Sequence, residues 1–236
     1  MNYIKRNYFS KIIVKILMIF IGVTCVGCGI AFFYALNIGS DPISVFVDGQ
    51  HRIFGLSYGT VNLLNSILYL VFIFLFRRDL IRLATLISGV ALGPLINLFT
   101  GLLGNLITPK GSLTLQMIWG EGIVFIPPSN DYLIRLLLLI PAVILLGFGL
   151  GLYLSANMGA SPVDAVVIFL SDKSAKPLKT AKVAFDLTVA TLGFLLGGVT
   201  GVGTVIGILL TGPAIAYSLQ LLGRLKLTLG LEKAWD

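Results

Sequence analysis

The chain has 236 residues with a mean hydropathy of +0.99; 57% of its residues are hydrophobic and only 11% are charged. A soluble domain carries about a quarter charged residues, so this composition excludes a water-facing globule. The net charge of +7 does not indicate nucleic-acid binding, because the basic residues lie at the ends of apolar runs. We therefore expect an all-α, polytopic membrane protein whose main partner is the lipid bilayer.

The first apolar run follows a basic start, "MNYIKRNYFSK", and continues to about residue 37. A run of this length without a small-residue cleavage pattern predicts a membrane span and not a cleaved signal peptide. Cys25 and Cys28 lie three positions apart within it and lack the further ligands that a metal site needs. We expect both cysteines to be reduced packing residues.

Six apolar runs are long enough to cross a bilayer as helices, which takes about 20 residues each. They cover residues 13–37, 58–76, 83–107, 133–157, 179–198 and 202–223. The organisation expected from them is a three-span half over 1–107, a loop over 108–131, a second three-span half over 132–223 and a tail over 224–236.

The distribution of lysine and arginine predicts the orientation of these spans. If the N-terminus is cytoplasmic, the opposite side keeps only Arg52, Lys110 and Arg135 of the 17 basic residues. Cytoplasmic segments are enriched in Lys and Arg, so both termini are expected in the cytoplasm and the 108–131 loop outside it.

A short polar motif occurs once in each half. "LNIGSDP" at 36–42 returns as "ANMGASP" at 156–162, so that Asn37, Gly39 and Pro42 match Asn157, Gly159 and Pro162. Further along, Gly93-Pro94 matches Gly212-Pro213. Three spans in each half place the second half upside down relative to the first. The sequence thus predicts an inverted repeat, an arrangement common among secondary transporters.

Each motif is expected to end one helix and begin another. Asn and Gly stop a helix, whereas Asp41 and Ser161 are good N-caps followed by a proline at the first helical position. The new segments are too short to span, which leaves two alternatives. They are interfacial turns or gates, or they re-enter the membrane and present a helix N-terminus to a ligand. The gate or hinge candidates are Gly39, Asp41, Pro42, Gly159, Ser161 and Pro162.

Polar residues also lie within the expected spans. Asn65 belongs to a polar face of the second span, and Asp186 follows Lys182 by four residues in the fifth. A carboxylate in a span indicates a functional site that takes a proton, an ion or a cationic group. The alternative is a structural ion pair with Lys182. The small or kinking residues Gly93, Pro94, Gly212 and Pro213 indicate close helix packing.

The doubled N-x-G-x-x-P motif after a glycine-rich span resembles the YczE/YyaS/YitT group of bacterial membrane proteins. Its carriers are Gly27, Gly29, Asn37, Gly39, Pro42, Gly147, Gly149, Asn157, Gly159, Pro162 and Asp164. The resemblance covers roughly residues 10–223 and implies a multi-pass protein of the bacterial cytoplasmic (inner) membrane. It supplies no substrate. Ser44 stands where the second half has Asp164, so an acidic role at that position is confined to one half.

The leading hypothesis is a small-molecule secondary transporter or exporter of unknown substrate, coupled to a proton or ion and monomeric or homodimeric. Its expected substrate-binding residues are Asn37, Asn65, Asn157, Asp164 and Asp186. The alternative is a non-transporting accessory, either a substrate-capturing subunit or a regulatory scaffold of a larger complex. The sequence contains no recognisable catalytic dyad, metal cluster or nucleotide-binding loop, so we expect neither enzymatic activity nor a cofactor or metal.

Overall fold

The computed structural model describes residues 2–107 and 129–228, which form eight α-helices, a 3₁₀ turn at Arg78–Leu80 and no strand. The helices are α1 (Asn2–Leu36), α2 (Pro42–Phe54), α3 (Tyr58–Phe76), α4 (Leu83–Ile107), α5 (Ser129–Ser155), α6 (Pro162–Ser174), α7 (Leu178–Leu195) and α8 (Val202–Thr228). The all-α prediction is confirmed. Helix α5 starts four residues before the expected span, and most of the expected loop and tail, at 108–128 and 229–236, lies outside the described residues.

Within the described residues, five helices are long and apolar enough to cross a membrane. These spans are Ile12–Leu36, Tyr58–Phe76, Leu83–Leu103, Arg135–Ser155 and Val202–Arg224. The remaining expected span corresponds to α7, which has 18 residues and carries Lys179, Lys182 and Asp186. These three charges make α7 less apolar than the other five, so composition alone supports five spans.

Helices α1 and α5 cross closely in an antiparallel direction. A methyl group placed on Gly22 would lie 2.8 Å from the Gly149 carbonyl oxygen, and one placed on Gly29 would lie 3.0 Å from the Ala142 oxygen. As the residue number rises along α1, it falls along α5. Because only glycine lets the two backbones approach this closely, the glycine-rich spans form the crossing.

Each of these two helices packs against the last helix of its own half. Gly27 of α1 packs against Leu95 of α4, and Gly147 of α5 packs against Ala214 of α8. Apolar side chains around the crossing, including Phe33 and Leu139, form the largest buried cluster. The glycines of the "GCG" and "GFG" segments are therefore helix-packing residues.

The two short helices each pack against a helix of the other half. Helix α2 packs on α7, where a methyl group on Gly49 would lie 2.6 Å from the Gly193 oxygen. Helix α6 packs on α3, where the rings of Phe72 and Phe169 meet edge to face at 5.3 Å. The halves are therefore joined both at the central crossing and through their short helices.

The two halves differ in how their last two helices pack. A methyl group on Gly93 of α4 would lie 2.5 Å from the Gly59 oxygen of α3 and 3.0 Å from Leu63 Cβ. Asn97 also accepts a hydrogen bond from Gly59 N at 2.8 Å. The matching glycine of α8, Gly212, has nothing within 4 Å of the corresponding position. Helix α3 thus lies tightly on α4, whereas this part of α8 is open.

Candidate functional site

The two repeated motifs adopt the same backbone conformation. Asn37 and Asn157 end α1 and α5 in the left-handed region, with φ of 50° and 51°. Gly39 and Gly159 follow with φ of 101° and 122°. Asparagine tolerates the first conformation and glycine the second, so the residues that the two motifs share produce the same turn in both.

The short helices begin with the expected caps. Asp41 accepts a hydrogen bond from Ser44 N at 3.3 Å, and Ser161 Oγ accepts one from Asp164 N at 3.1 Å. Ser161 Oγ also lies 2.7 Å from Asp164 Oδ2. Proline occupies the first helical position in both helices. The capping prediction is confirmed at both breaks.

The first motif folds back along α8. Gly203 N donates to the Ile38 carbonyl at 2.9 Å, and a methyl group on Gly207, one turn further along α8, would lie 3.7 Å from Asp41 N. Later in α2, Asp48 accepts a hydrogen bond from Val199 N, just before α8 begins, at 2.6 Å. The chain therefore enters the bundle between residues 38 and 41 and leaves it along α2, so that the N-terminus of α2 points inward.

The second motif repeats this path along α4. Ala84 N donates to the Met158 carbonyl at 3.1 Å, and Pro162 lies beside Gly89, further along α4. Helix α6 then returns toward the 3₁₀ turn that precedes α4, where Asp172 accepts a hydrogen bond from Arg77 at the end of α3 at 2.9 Å. The N-terminus of α6 also points inward, from the opposite end of the bundle.

The N-terminus of α6 reaches Lys182 of α7. Lys182 Nζ lies 3.0 Å from Asp186 Oδ1 and 3.9 Å from Asp164 Oδ1. Asp41 is close enough to interact electrostatically with both Lys182 and Asp186. We call Asp41, Asp164, Lys182 and Asp186 the Lys182 cluster. The sequence placed Asp164 and Asp186 in a candidate site and paired Lys182 with Asp186, but it did not place Asp41 beside them.

Two carboxylate oxygens of this cluster, Asp41 Oδ1 and Asp186 Oδ1, are buried without a hydrogen-bond partner among the described residues, although Asp186 Oδ1 is ion-paired with Lys182. The nearby Tyr153, only 2% exposed, has Ser88 as a hydrogen-bonding neighbour of its hydroxyl and Asp164 as an electrostatic neighbour. About a third of the Lys182 and Asp164 side chains remains exposed.

A second polar group, which sequence reasoning missed, surrounds Asp48 of α2. Asp48 is 4% exposed and accepts hydrogen bonds from Arg52 Nε and the Tyr58 hydroxyl, both at 3.2 Å, besides the one from Val199 N. The Tyr58 ring stacks on Tyr34 with centroids 4.0 Å apart. The only signal in the sequence was a carboxylate four residues before an arginine, which is common on exposed helix faces.

A small cleft lies beside the Asp48 group. Its lining consists of Phe33, Tyr34, Asn37, Gly39, Ser40, Asp48, Tyr58 and Val199. Tyr34 interacts electrostatically with both Asp41 and Asp48. The cleft thus leads from the Asp48 group to the chain immediately before Asp41, and Asn37, a predicted binding residue, lies in its wall.

The other residues predicted from the sequence lie outside the Lys182 cluster. The Asn65 and Gln50 side-chain amides exchange hydrogen bonds of 3.2 and 2.6 Å, which join α3 to α2. Asn157 ends α5, and its binding role stays a prediction. Pro94 and Pro213 lie inside α4 and α8, as expected. Among the described residues, no group of three or more His, Cys, Asp or Glu side chains is arranged to hold a metal ion.

An exposed ion-pair group lies where the 3₁₀ turn joins α3 and α4. Arg77 donates to Asp79 through two nitrogens, each at 2.9 Å, and also to Asp172. The hydrogen bond from Arg77 holds the pKa of the Asp79 carboxyl below its usual value. This group links α6 to the end of α3 at the surface, away from the Lys182 cluster.

Comparison with known proteins identifies relatives of this architecture. The chain is 26% identical over 182 residues to the uncharacterized membrane protein YczE of Bacillus subtilis (strain 168), covering 77% of this chain and 74% of YczE. It is 21% identical over 204 residues to the uncharacterized protein YyaS of the same organism, covering 86% and 92%. An uncharacterized protein of Haemophilus influenzae is 27% identical over 113 residues, covering 48% and 52%.

No solved structure matches the chain. The relatives YczE and YyaS confirm the family resemblance that the repeated motif indicated. The matching family profile extends from residue 13 to residue 220 and so includes both motifs and the Lys182 cluster. The chain is a membrane protein that belongs to the family of unknown function DUF6198.

Proposed function

We propose that the protein is a secondary transporter or exporter of a small molecule, with its binding site at the Lys182 cluster. The observation that carries this proposal is a charged cluster inside an apolar bundle, in which Asp164 at the N-terminus of α6 lies 3.9 Å from Lys182 and Asp41, the N-cap of the repeat-related α2, is an electrostatic neighbour. Broken helices whose N-termini point at a central site are a recurrent feature of transporters. Of the two alternatives for the short helices, this geometry favours re-entrant segments at a binding site.

The proposed topology has six spans in two inverted three-span halves, with α7 as the additional span. The Lys182–Asp186 pair supports this role for α7, since two charges that neutralise each other cost less to bury than two isolated ones. The antiparallel crossing of α1 and α5 supports the inversion. So do the matched hydrogen bonds Gly203–Ile38 and Ala84–Met158, which hold the two motifs in equivalent places.

The unequal packing of the halves supports alternating access. Helix α3 lies tightly on α4 at Gly93, whereas the equivalent Gly212 of α8 is open. In a transporter with inverted repeats, exchange of the two conformations between the halves produces the opposite-facing state. In that state α7 would close on α8 at Gly212, while α3 would move away from Gly93. Gly39, Pro42, Gly159 and Pro162 are the proposed hinges, with their capping residues Asp41 and Ser161.

The remaining parts of the proposal follow from the sequence. Both termini are cytoplasmic, as the distribution of Lys and Arg predicts. The membrane is the bacterial cytoplasmic membrane, as the family resemblance implies. Transport is coupled to a proton or ion, with Asp186 and Asp164 as candidate carriers. Asn37, Asn65 and Asn157 line or support the substrate path. The protein acts without catalysis and without a cofactor.

Cysteine cross-linking tests the exchange of conformations. In a background with Cys25→Ala and Cys28→Ala, one variant carries Leu63→Cys with Gly93→Cys, and a second carries the repeat-related pair Val183→Cys with Gly212→Cys. A disulfide needs Cβ atoms about 3.5–4.5 Å apart. The first pair lies near that distance, and the second is open. Alternating access predicts that both pairs cross-link in membranes. Cross-linking of the first pair alone would contradict the exchange.

Flux into proteoliposomes tests transport itself. The purified protein is screened over a panel of metabolites, with and without a proton gradient, and Asp164→Asn and Asp186→Asn are compared with the exposed control Asp79→Asn. We expect saturable flux that the first two variants lose and the control keeps. Absence of flux over the whole panel, together with a stoichiometric partner that copurifies from membranes, would favour the alternative role as an accessory subunit or scaffold.

A further inference from the structure

We propose that the headgroups of acidic phospholipids bind where the turn at 77–82 meets the segment at 171–179, which joins α6 to α7. This inference goes beyond the proposed function and does not depend on transport, since it requires only that the chain lies in a membrane. Five exposed basic side chains form the site, which we call the basic surface: Arg78, Arg82, Lys173, Lys176 and Lys179.

The tertiary structure brings the two basic segments together. The turn after α3 belongs to the first half of the chain and the connection between α6 and α7 belongs to the second. Arg77 Nη1 donates to Asp172 Oδ2 at 2.9 Å across the junction, and the ring centres of Phe76 and Phe169 lie 5.7 Å apart beside it. The five cations therefore lie around one junction at the same end of the bundle.

The basic surface keeps an excess of positive charge. The segments 77–82 and 171–179 contain six basic and two acidic residues. Both carboxylates, those of Asp79 and Asp172, pair with Arg77 at 2.9 Å. Among the described residues, no carboxylate forms an ion pair with any of the five exposed cations. An excess of four positive charges therefore remains for an anionic partner.

Local contacts hold parts of the basic surface in place. Ser171 Oγ donates to the Lys176 carbonyl at 2.8 Å, and Lys176 N donates to the Ser171 carbonyl at 3.2 Å, around Ala175 in the left-handed conformation. In the other segment, Arg78 Nε donates to the Phe74 carbonyl at 3.0 Å, and the guanidinium carbon lies 4.4 Å from the centre of the Phe74 ring. Groups that are ordered before binding lower the entropy cost of binding a headgroup.

Apolar side chains beside the cations favour a lipid over a free anion. The apolar span of α3 ends at Phe76, directly before Arg77. Its last three residues, Phe74, Leu75 and Phe76, are each more than half exposed, as is Leu178 beside the lysines. Acyl chains can contact these apolar side chains while the phosphate lies at the level of the cations. Free phosphate would use the cations alone.

The excess charge selects an acidic headgroup. A zwitterionic headgroup carries its own ammonium group beside the phosphate, and the cations repel that ammonium. The headgroup of phosphatidylglycerol has a net negative charge instead. Each basic side chain near an anionic bilayer surface strengthens binding about fivefold. Because the basic surface joins both halves of the chain, bound acidic lipid is also expected to stabilise the junction.

Thermal unfolding of the purified full-length protein in a neutral detergent tests this inference. The probes are phosphatidylglycerol, phosphatidylcholine with the same acyl chains, and inorganic phosphate, at constant pH and ionic strength. We expect a saturable rise in melting temperature with phosphatidylglycerol and a much smaller one, or none, with the other two. An equal rise with phosphatidylcholine would show general lipid contact, and an equal rise with inorganic phosphate would show a site for the free anion. Either result, or no rise with phosphatidylglycerol, would overturn the proposal.

Two variants test whether the site includes both segments. Replacing Lys173, Lys176 and Lys179 together by glutamine should weaken phosphatidylglycerol binding roughly a hundredfold. Arg78→Gln with Arg82→Gln should weaken it about 25-fold. Unchanged affinity in both variants would place the lipid elsewhere and refute the inference. Loss in only one of them would contradict a site that spans the junction.

Two further variants separate charge from other effects of substitution. Thr180→Gln, an exposed change beside Lys179 that leaves the charge unaltered, is the matched control and should not change the affinity. Replacing the three lysines by arginine restores the charge and should restore binding that the glutamine variant loses. A loss of affinity in the control or in the arginine variant equal to that in the glutamine variant would refute recognition by charge.

Discussion

Replacing Gly93 by alanine tests whether the close contact between α3 and α4 is real and specific to one half. The new methyl group would lie 2.5 Å from the Gly59 carbonyl oxygen, where an ordinary contact begins at 3.4 Å. The obstructing atom belongs to the backbone, so no side-chain rotation relieves the overlap. Helix α3 must therefore retreat by roughly 0.9 Å, which also strains the hydrogen bond from Gly59 N to Asn97.

The repeat provides a matched control in Gly212→Ala. Its methyl group would meet nothing within 4 Å. Both variants gain the helix propensity of alanine over glycine, about 0.8–1.0 kcal/mol, so this term cancels in the comparison. What remains is the cost of overpacking at Gly93, about 1–3 kcal/mol. For a chain of this size, that corresponds to roughly 2–12 °C in melting temperature, with Gly93→Ala the lower.

The assay is thermal unfolding of both variants in the same detergent, followed by intrinsic fluorescence. We expect Gly212→Ala to melt at or slightly above the parent temperature and Gly93→Ala clearly below it. Equal melting temperatures would refute the unequal packing of the two halves. If the halves exchange conformations, Gly212→Ala should also slow flux, because its methyl group obstructs the closed contact of α7 with α8.

Three further substitutions test single contacts by melting temperature. Asp48→Asn removes the charged acceptor of three hydrogen bonds and should lower the free energy of unfolding by about 1–3 kcal/mol. Asp79→Asn, at an exposed site, should leave the melting temperature unchanged. Equal effects of the two substitutions would contradict a structural role for Asp48. Asn157→Ala should cost about 1–2 kcal/mol at its left-handed position, and Asn157→Gly should not, so equal losses would point to a lost side-chain contact instead. Gly159→Ala should destabilise the protein more than Gly55→Ala. Both glycines have a positive φ, but only at Gly159 would the new methyl group also clash, 2.7 Å from Arg82 Cβ. The reverse order of melting temperatures would argue against that clash.

Much of the fold could be predicted because its signals are local. Helices α3 and α4 have the bounds of the expected spans 58–76 and 83–107, since Ser57 caps one start and a charged turn separates the two. The motif residues Asn37, Gly39 and Pro42 act through their own backbone conformations, which depend little on distant partners. The caps and breaks were therefore predictable from residue type and order.

The candidate site was only partly predictable. Asp164 and Asp186 are recognisable in the sequence because each is a carboxylate within a mainly apolar segment. Lys182 pairs with Asp186 through ordinary helical spacing. Asp48 gave no comparable signal, because its acceptor role depends on Val199, far away in the sequence. An Asp followed by an Arg on a short mixed helix has the same pattern whether it is buried or exposed.

The sequence by itself determined the membrane class and the positions of the helix breaks, and it predicted the relation between the halves. Hydropathy, capping and left-handed turns are properties of short segments, and a repeat can be found by comparing two segments of the sequence residue by residue. Only the tertiary structure decided that the short helices turn inward, that Asp41 and Asp164 approach Lys182, and that α4 is packed on its neighbour while Gly212 of α8 is open. These features join residues from different helices, and each depends on the distance between backbones at a crossing, which no local pattern specifies.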